Sequence, residues 1–299
     1  MLQQFREENR DLLVNIGGTI VHRDDAAVSP FDSLVQNGDG VWEGLRVYDG
    51  KIFRLGEHLE RLRRSAVALS YEGVPPADEI VEEIRRTLAA NRMRDNVHIR
   101  LTLSRGRKCT SGLDPRLNTS GSMLIVLAEH KPPVYDKSGV RLITARHRRP
   151  PDDVLDQKIH SCNQLTSILA KLEANAAGAD DALMLDTRGF VAETNATHLF
   201  LVRDGFVLTP STVACPEGIT RGAVLALCRE HGIGFEVRDI APDEVYAADE
   251  MFCTGTMGEI VPVVEVDGRA IGSGERGPLT DRLCELFAAL TATEGEPVV

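Results

Sequence analysis

A lysine, a histidine and a cysteine lie within five positions of one another, at Lys158, His160 and Cys162. A lysine amine can attack a carbonyl group, and a thiol beside an imidazole can act as a nucleophile. The sequence pattern offers no third group to orient the imidazole and no oxyanion motif around the thiol. The lysine is therefore favoured over a thiol hydrolase that would use Cys162 and His160.

Lysines are scarce, which narrows the candidates. The chain has six, and five of them fall in turns, in loops or on the polar flank of a helix, at positions 51, 108, 131, 137 and 171. Lys158 lies instead between an extended segment and an apolar helix that Gly178 closes. Burial there would favour the neutral, nucleophilic amine. An exposed loop lysine is the competing interpretation, and it would favour a binding module without catalysis.

Three other features can hold a ligand. Glu193 precedes a strand and can pair with a protonated ring nitrogen, although an exposed turn glutamate would give the same pattern. Residues 218–220 begin a helix whose free N–H groups attract phosphate, and the small-residue turn within 253–260 brings more N–H groups close to a ligand. Together with the Lys158 amine, these features fit pyridoxal 5′-phosphate, which has an aldehyde, a pyridine nitrogen and a phosphate.

Composition limits the partners. The net charge of −11 argues against nucleic acid or a membrane surface, which would need a basic face, so we expect small-molecule substrates. The six cysteines form no CxxC pair, and we expect no metal. The start lacks a signal-peptide core and no stretch reaches about 18 unbroken apolar residues, so we expect a cytoplasmic protein.

The elements that must position these residues mix helices and strands. Helical periodicity covers residues 56–71, 76–92, 218–232 and 278–293. The pattern also predicts hairpins over 47–55, 202–210 and 264–272, and strands over 97–103, 122–128, 140–145, 181–186 and 197–202, with a further strand that runs from 249 into the small-residue turn. Prolines and charges at 131–139 predict a linker between two domains, 1–130 and 140–299. The class is mixed α and β in two lobes.

Four stretches carry a resemblance to the class IV, or fold type IV, aminotransferases, a group that includes branched-chain aminotransferases, D-amino acid transaminases and aminodeoxychorismate lyases. They are 37–62 (NGDGVWEGLRVYDGKIFRLGEHLERL), 157–200, 217–224 (EGITRGAV) and 249–263 (DEMFCTGTMGEIVPV). The resemblance implies a smaller N-terminal α/β domain and a larger C-terminal pseudo-barrel domain that binds the cofactor. It also implies a homodimer.

Site roles follow from the same resemblance. It implies that Lys158 forms the Schiff base and moves the substrate proton, and that Glu193 binds the pyridine nitrogen. Trp42 and Met257 would line the substrate pocket. The implied phosphate ligands are Arg54, Ile219, Thr220 and Thr256. The implied reaction moves an amino group between a branched-chain or other apolar amino acid and a 2-oxo acid such as 2-oxoglutarate.

The spacing after the lysine departs from the family pattern. Relatives place an Asn three or four residues on, often followed by Tyr, whereas Asn163 is five residues on and Gln164 fills the Tyr position. If the chain is aligned with the family motif at Asn163, His160 takes the position of the lysine. We assign the role to Lys158, because an imidazole cannot form a Schiff base and a local bulge can absorb two residues. Asn163 is then a candidate contact of the ring hydroxyl.

Substrate choice depends on a strand and the loop that follows it. His98 and Arg100 stand where branched-chain enzymes often have Tyr and Arg, and alternation places both on one face of the strand. Arg105 resembles the arginine that binds the α-carboxylate in D-amino acid enzymes, and a solvated loop arginine is the competing interpretation. A D-amino acid or (R)-amine transaminase is therefore the alternative within the family, followed by an aminodeoxychorismate lyase.

Overall fold

The computed structural model describes residues 3–299, so the first two residues of the predicted first domain lie outside the described part. The chain forms two compact units. The first unit contains residues 3–132, Ile159–Asn163 and Thr291–Val299, and the second contains Pro133–Lys158 and Gln164–Leu290. The predicted linker spans the division after Pro132. The sequence pattern gives no sign that Ile159–Asn163 and Thr291–Val299 belong to the first unit. Because the first of these segments begins after Lys158, Lys158 and His160 fall in different units.

The strands follow the alternation of apolar residues along the chain. Those formed by the described residues are β1 (Leu13–Ile16), β2 (Thr19–His22), β3 (Gly40–Tyr48), β4 (Lys51–Ile52), β5 (Val97–Ser104), β6 (Met123–His130), β7 (Val140–Thr144), β8 (Asp181–Leu185), β9 (Val191–Thr194), β10 (His198–Arg203), β11 (Phe206–Pro210), β12 (Phe235–Arg238), β13 (Glu250–Gly255), β14 (Glu259–Val266), β15 (Arg269–Ala270) and β16 (Glu296–Pro297).

The helices are α1 (Ser33–Asn37), α2 (Leu55–Ala68), α3 (Ala77–Ala90), α4 (Asp152–Leu155), α5 (Leu165–Ala176), α6 (Ile219–Glu230), α7 (Pro242–Tyr246) and α8 (Pro278–Thr293), with 3₁₀ turns at Glu7–Asn9 and Pro115–Leu117. The four helices predicted by periodicity are confirmed as α2, α3, α6 and α8, and the helix closed by Gly178 as α5. The short helices α1, α4 and α7 were not predicted. Within residues 3–299 no helix has both the length and the apolar character needed to cross a bilayer.

The first unit is built on an antiparallel sheet with the strand order β16-β4-β3-β5-β6-β1-β2. One face of β5 places Ile99 and Leu101 in the core, where they join the apolar faces of α2 and α3, including Leu62 and Ile84. Because side chains alternate along a strand, the opposite face carries His98, Arg100 and Thr102. This opposite face presents the candidate substrate residues.

The second unit is built on a nine-stranded mixed sheet with the order β12-β11-β10-β13-β14-β7-β8-β9, and β15 pairs with β14. The strand β9 lies at one end of this order, yet it contacts β10, which lies within the order. The sheet therefore curls on itself, as the predicted pseudo-barrel requires.

Three hairpins turn at an Asp-Gly pair. The pairs are Asp49-Gly50 between β3 and β4, Asp204-Gly205 between β10 and β11, and Asp267-Gly268 between β14 and β15, and all six residues have positive φ. Two successive residues with positive φ are the signature of the two-residue turn that matches strand twist. The three predicted hairpins are confirmed.

Candidate active site

The segment Ile159–Asn163 pairs with the start of β3 in the first unit. The Trp42 N–H donates to the His160 carbonyl (3.0 Å) and the Cys162 N–H donates to the Gly40 carbonyl (2.8 Å). The Trp42 indole N–H donates to the carbonyl of Ser161 (3.1 Å). These bonds fix His160 against Trp42, with their rings stacked at 4.3 Å.

A buried carboxylate lies behind this pair. Glu43 is fully buried and accepts hydrogen bonds from Arg61 Nε (2.8 Å) and Nη2 (2.6 Å), and it also contacts His58 Nδ1 (2.7 Å). Burial by itself raises the pKa of Glu43, but the charges of His160 and Arg61 lower it more, so the pKa lies well below its usual range. Glu43 is therefore an anion held by a network of side chains.

The same carboxylate orients His160. His160 Nδ1 lies 2.6 Å from the Trp42 carbonyl oxygen and 3.4 Å from Glu43 Oε1. A carbonyl oxygen only accepts, so Nδ1 carries the proton. Burial lowers the pKa of His160, and the Glu43 carboxylate offsets this only in part. The expectation that no third group orients the imidazole is wrong.

Cys162 interacts with a cation rather than serving as a free nucleophile. The Arg100 guanidinium lies 3.4 Å from the centre of the Trp42 ring, and its charge acts on the Cys162 thiol. Burial raises the pKa of Cys162, and the Arg100 charge only partly opposes it. A thiol that resists ionisation is a poor nucleophile, which weighs against the thiol hydrolase.

The two arginines considered for the substrate carboxylate differ in their partners. Arg100 lies on the polar face of β5, as predicted. Arg105 is held by an ion pair with Asp39 (2.6 Å) and by hydrogen bonds to the carbonyls of Leu69 and Ser70. Arg105 is therefore not a solvated loop arginine, so that interpretation is wrong. Its role as a carboxylate ligand stays a prediction, which these partners weigh against.

His98 also lies on this face and is 8% exposed. Its Nε2 has no hydrogen-bond partner among residues 3–299. Burial, aided by the nearby cations, lowers the pKa of His98 to about 3. His98 is therefore a neutral group on the polar face of β5.

The remaining candidates in the first unit are Arg54 and Asn163. Arg54 precedes α2 in a left-handed conformation (φ 50°) and pairs with Glu57 (3.0 Å). Its Nε is buried and has no hydrogen-bond partner in the described part of the chain. Asn163 is exposed, and its side-chain amide donates to the Gly38 carbonyl (3.3 Å).

In the second unit, Lys158 is exposed, and its backbone N–H donates to Asp156 Oδ1 (2.9 Å). The expectation of a buried amine is wrong. The charge of Lys158 nonetheless influences the pKa of the buried Cys215. Burial raises this pKa and the Glu193 carboxylate raises it further, whereas the charges of Arg221, Arg149 and Lys158 lower it. Lys158 and Glu193 thus both act on the pKa of Cys215.

Glu193 is 4% exposed on β9, so the interpretation as an exposed turn glutamate is wrong. Arg149 Nε lies 2.9 Å from Glu193 Oε1, in an ion pair without hydrogen-bond alignment, and His198 Nδ1 lies 3.7 Å from Oε2. The other Arg149 nitrogens donate to Ser167 Oγ (3.0 Å) and the Thr194 carbonyl (2.8 Å). A carboxylate in this setting can serve as the partner of a cationic ring nitrogen.

Donor atoms of Glu193, His198 and Cys215 all lie within 4.8 Å of one another. Such a triad has the chemistry of a metal site. The adjacent Arg149 cation disfavours a metal cation there, and the high pKa of Cys215, caused first by burial, disfavours a thiolate ligand. The absence of a metal stays a prediction, and these two features support it.

The helix α6 begins where the sequence predicted a phosphate site. Gly218 precedes it in an extended conformation, Ile219 is half-buried and Thr220 is 5% exposed. A Cβ atom on Gly218 would lie 2.2 Å from the His198 ring. Glycine is therefore required where this helix start packs on His198.

The small-residue turn joins β13 to β14. Thr256 and Met257 are half-buried in it, and the Met257 carbonyl accepts a hydrogen bond from the Val134 N–H (3.2 Å). The second unit thus contains Lys158, Glu193, the α6 start and this turn. The sequence analysis missed Glu43, Arg149 and His198, because an isolated Glu, Arg or His carries no signal of burial.

The chain is similar to known proteins along most of its length. The sequence profile for "Amino-transferase class IV" matches residues 40–266. The chain is 53% identical, over 97% of its length, to the branched-chain-amino-acid aminotransferase-like protein 2 of Arabidopsis thaliana. It spans about half of that relative, 52% of its length. It is also 41% identical to a putative branched-chain-amino-acid aminotransferase of Methanocaldococcus jannaschii, covering 92% of this chain and 94% of the relative.

A solved structure has the same fold. It is a branched-chain amino acid aminotransferase from Thermoproteus uzoniensis, crystallised with norvaline. It superposes with a TM-score of 0.88 at 30% identity, covering 97% of this chain and 100% of that one. With this fold, the profile match and the relatives taken together, the chain belongs to the class IV aminotransferase family.

Proposed function

We propose that the chain is a pyridoxal-phosphate-dependent transaminase that moves an amino group between a branched-chain or other apolar amino acid and a 2-oxo acid such as 2-oxoglutarate. The observation that carries the proposal is the combination, in one unit, of the Lys158 amine, the buried Glu193 carboxylate and the uncapped start of α6. A relative covered over nearly its full length is described as a branched-chain enzyme, which supports the substrate class.

The residues present fit the cofactor. The Arg54 Nε is buried without a partner in the described part of the chain, as expected of a guanidinium that binds an added anion. The Thr254 hydroxyl, 1% exposed, likewise has no hydrogen-bond partner among residues 3–299 and lies across the sheet from His198. Buried polar groups rarely stay unpaired, so both support an added polar ligand.

Each residue then has a defined task. Pyridoxal phosphate, when bound, supplies an aldehyde and a protonated ring that accepts electrons from the substrate α-carbon. Lys158 supplies the amine that holds the aldehyde and moves the substrate proton. Glu193 keeps the ring nitrogen protonated. The phosphate ligands in this proposal are Arg54, Ile219, Thr220 and Thr256, and Asn163 is the contact of the ring hydroxyl.

Substrate binding is proposed for the polar face of β5 and its neighbours. Arg100, stacked on Trp42, offers a cation for a carboxylate, and His98 and Met257 complete the set. The D-amino acid alternative depends on Arg105, whose ion pair with Asp39 and two carbonyl bonds weigh against it. The L-apolar assignment is therefore the proposal. A homodimer and a cytoplasmic location stay predictions.

Borohydride reduction tests the proposal. The purified chain with added pyridoxal phosphate should be yellow, and reduction followed by peptide mapping should find the pyridoxyl group on Lys158. Lys158→Arg should abolish colour and transamination, whereas the control Lys51→Arg, at the start of β4, should keep both. A colourless wild-type protein would contradict the proposal. L-leucine, D-alanine and (R)-1-phenylethylamine as amino donors then distinguish the substrate classes.

A further inference from the structure

His198 lies between two parts of the proposed cofactor site in the second unit. On one edge of its ring, Nδ1 is 3.7 Å from Glu193 Oε2. On the opposite edge, Cδ2 and Nε2 face Gly218, because a Cβ atom added to this glycine would collide with both of them. The side chain of His198 is 11% exposed. The ring therefore fills the space between the buried carboxylate and the start of α6.

The same histidine is next to the strand that leads into the small-residue turn. His198 on β10 pairs in register with Thr254 on β13. The Thr254 hydroxyl is buried and has no hydrogen-bond partner among residues 3–299. Glu193, His198, Gly218 and Thr254 all belong to the second unit. His198 is thus the common neighbour of the carboxylate, the helix start and this strand.

Close packing makes such a side chain transmit a displacement from one neighbour to another. A protein interior is as dense as an organic crystal, so a ring that is pushed on one edge must move toward the other. A shift of the α6 start toward His198 would therefore move the ring toward Glu193. The carboxylate responds to this movement, because its interaction with a nearby dipole or charge depends on distance.

We propose that His198 is a positioning residue that couples the two halves of the cofactor site. These halves are the Glu193 carboxylate, which serves the ring nitrogen, and the α6 start, which serves the phosphate. The proposal rests on the transaminase function proposed above and adds a residue to it. His198 acts through its two neighbours and moves no proton. It follows that a change at the helix start alters the affinity for a ligand that has no phosphate.

Pyridoxamine phosphate and pyridoxamine test this coupling, because neither forms a Schiff base with Lys158 and only the first has a phosphate. Calorimetry on the cofactor-free chain measures both affinities. Gly218→Ala should weaken both ligands, and pyridoxamine by about 10-fold. In a His198→Ala background, where the added methyl group has room, the same change should alter pyridoxamine binding by about twofold or less. The control is Gly222→Ala in the same helix, which meets no atom within 4 Å and should leave both affinities unchanged.

Two variants of His198 distinguish positioning of the carboxylate from packing alone. His198→Asn keeps an N–H donor at the place of Nδ1, whereas His198→Ala removes it. Pyridoxamine should bind His198→Ala about 10-fold more weakly than the wild type, and His198→Asn should restore most of this loss. Circular dichroism identifies any unfolded variant, and the two His198 variants decide the question if Gly218→Ala does not fold.

Three results would overturn the proposal. Gly218→Ala could weaken pyridoxamine phosphate alone, or it could weaken pyridoxamine equally with and without the His198 ring. His198→Ala could also bind pyridoxamine as tightly as the wild type does. A wild-type chain that binds neither ligand would instead contradict the transaminase function itself, so the two failures are distinguishable.

Discussion

Two buried glutamates, one in each unit, are held in different ways. Glu43 accepts two aligned hydrogen bonds from Arg61 and contacts His58, so its oxygens are tied to side chains on α2. Glu193 has an ion pair with Arg149 that lacks hydrogen-bond alignment, and Arg149 directs its other nitrogens to Ser167 and to a carbonyl. The first carboxylate is bound to side chains of α2, whereas the second pairs with an arginine that also holds Ser167 and the Thr194 carbonyl.

The neighbours of the two carboxylates differ as well. Beside Glu193 lie His198 and the Thr254 hydroxyl, which has no hydrogen-bond partner in the described residues. Complete pairing makes a structural network rigid, whereas a buried group left without a partner costs free energy and indicates a place for a ligand. We therefore expect changes at Glu43 to affect stability first, and changes at Glu193 to affect activity first.

The largest effect is expected at Glu43. Glu43→Ala leaves Arg61 and His58 buried without their anion, which should lower the free energy of unfolding by about 3–5 kcal/mol. Glu193→Ala should cost about 1.5–3 kcal/mol, because Arg149 keeps two other hydrogen bonds, and should abolish transamination. Urea unfolding measures both. The exposed pair formed by Glu60 is the control, and Glu60→Ala should change stability little. Equal losses at Glu43 and Glu193 would contradict the difference between the two carboxylates.

A glycine pair on α6 tests how tightly the second site is packed. Gly218→Ala would place a methyl group 2.2 Å from the His198 ring, so it should destabilise the chain by about 1–3 kcal/mol and weaken phosphate binding. Gly222→Ala in the same helix meets no atom within 4 Å and should stabilise the helix by about 0.5–1 kcal/mol. Thermal unfolding with and without pyridoxal phosphate measures both, and a tolerated Gly218→Ala would show that the helix start is loose.

The sequence predicted the parts of this fold that depend on local pattern. The Asp-Gly turns, the periodic helices α2 and α3 and the glycine-closed helix α5 all followed from residues close together in the chain, because turn geometry and amphipathic spacing are local properties. The helix start at Gly218 and the burial of Glu193 agree with the predicted site, although burial itself was not deducible from position.

The rest depends on contacts between distant segments. Glu43 and His160 are 117 positions apart in the sequence, and only the pairing of 159–163 with β3 brings them together. The exposure of Lys158 could not be predicted for the same reason: a single residue between a turn and a helix gives no periodic signal of its surroundings. Arg105 was ambiguous because its partner Asp39 lies far away in the sequence.

The polar face of β5 should make the stability of the first unit depend on pH. Burial lowers the pKa of His98 to about 3, and nearby cations add to this: Lys131, Arg100 and Arg46. The unfolded chain binds this proton below about pH 6.5, but the folded chain does not. Stability is therefore lost as the pH falls from about 6.5 toward 3, by about 1.4 kcal/mol for each pH unit.

His98→Gln should remove this slope, since glutamine does not titrate, and His22→Gln should keep it. Urea unfolding at three pH values between neutrality and about pH 5, within the range where unfolded histidine gains its proton, measures the difference between the variants. If the wild type and His98→Gln lose stability in parallel, then another group supplies the pH dependence and the buried neutral histidine is not a feature of this unit.

The smallest effect is expected at Thr254, and it bears on the difference between the two carboxylates. Thr254→Val replaces a buried hydroxyl that has no partner among residues 3–299, so in the cofactor-free chain it should raise the free energy of unfolding by about 1 kcal/mol. With pyridoxal phosphate added, the gain should shrink or reverse, because the hydroxyl then has a ligand to bind. Thermal unfolding of both variants, with and without cofactor, gives the comparison. The same gain in both conditions would mean that this hydroxyl serves no ligand, and that the site around Glu193 is as closed as the network around Glu43.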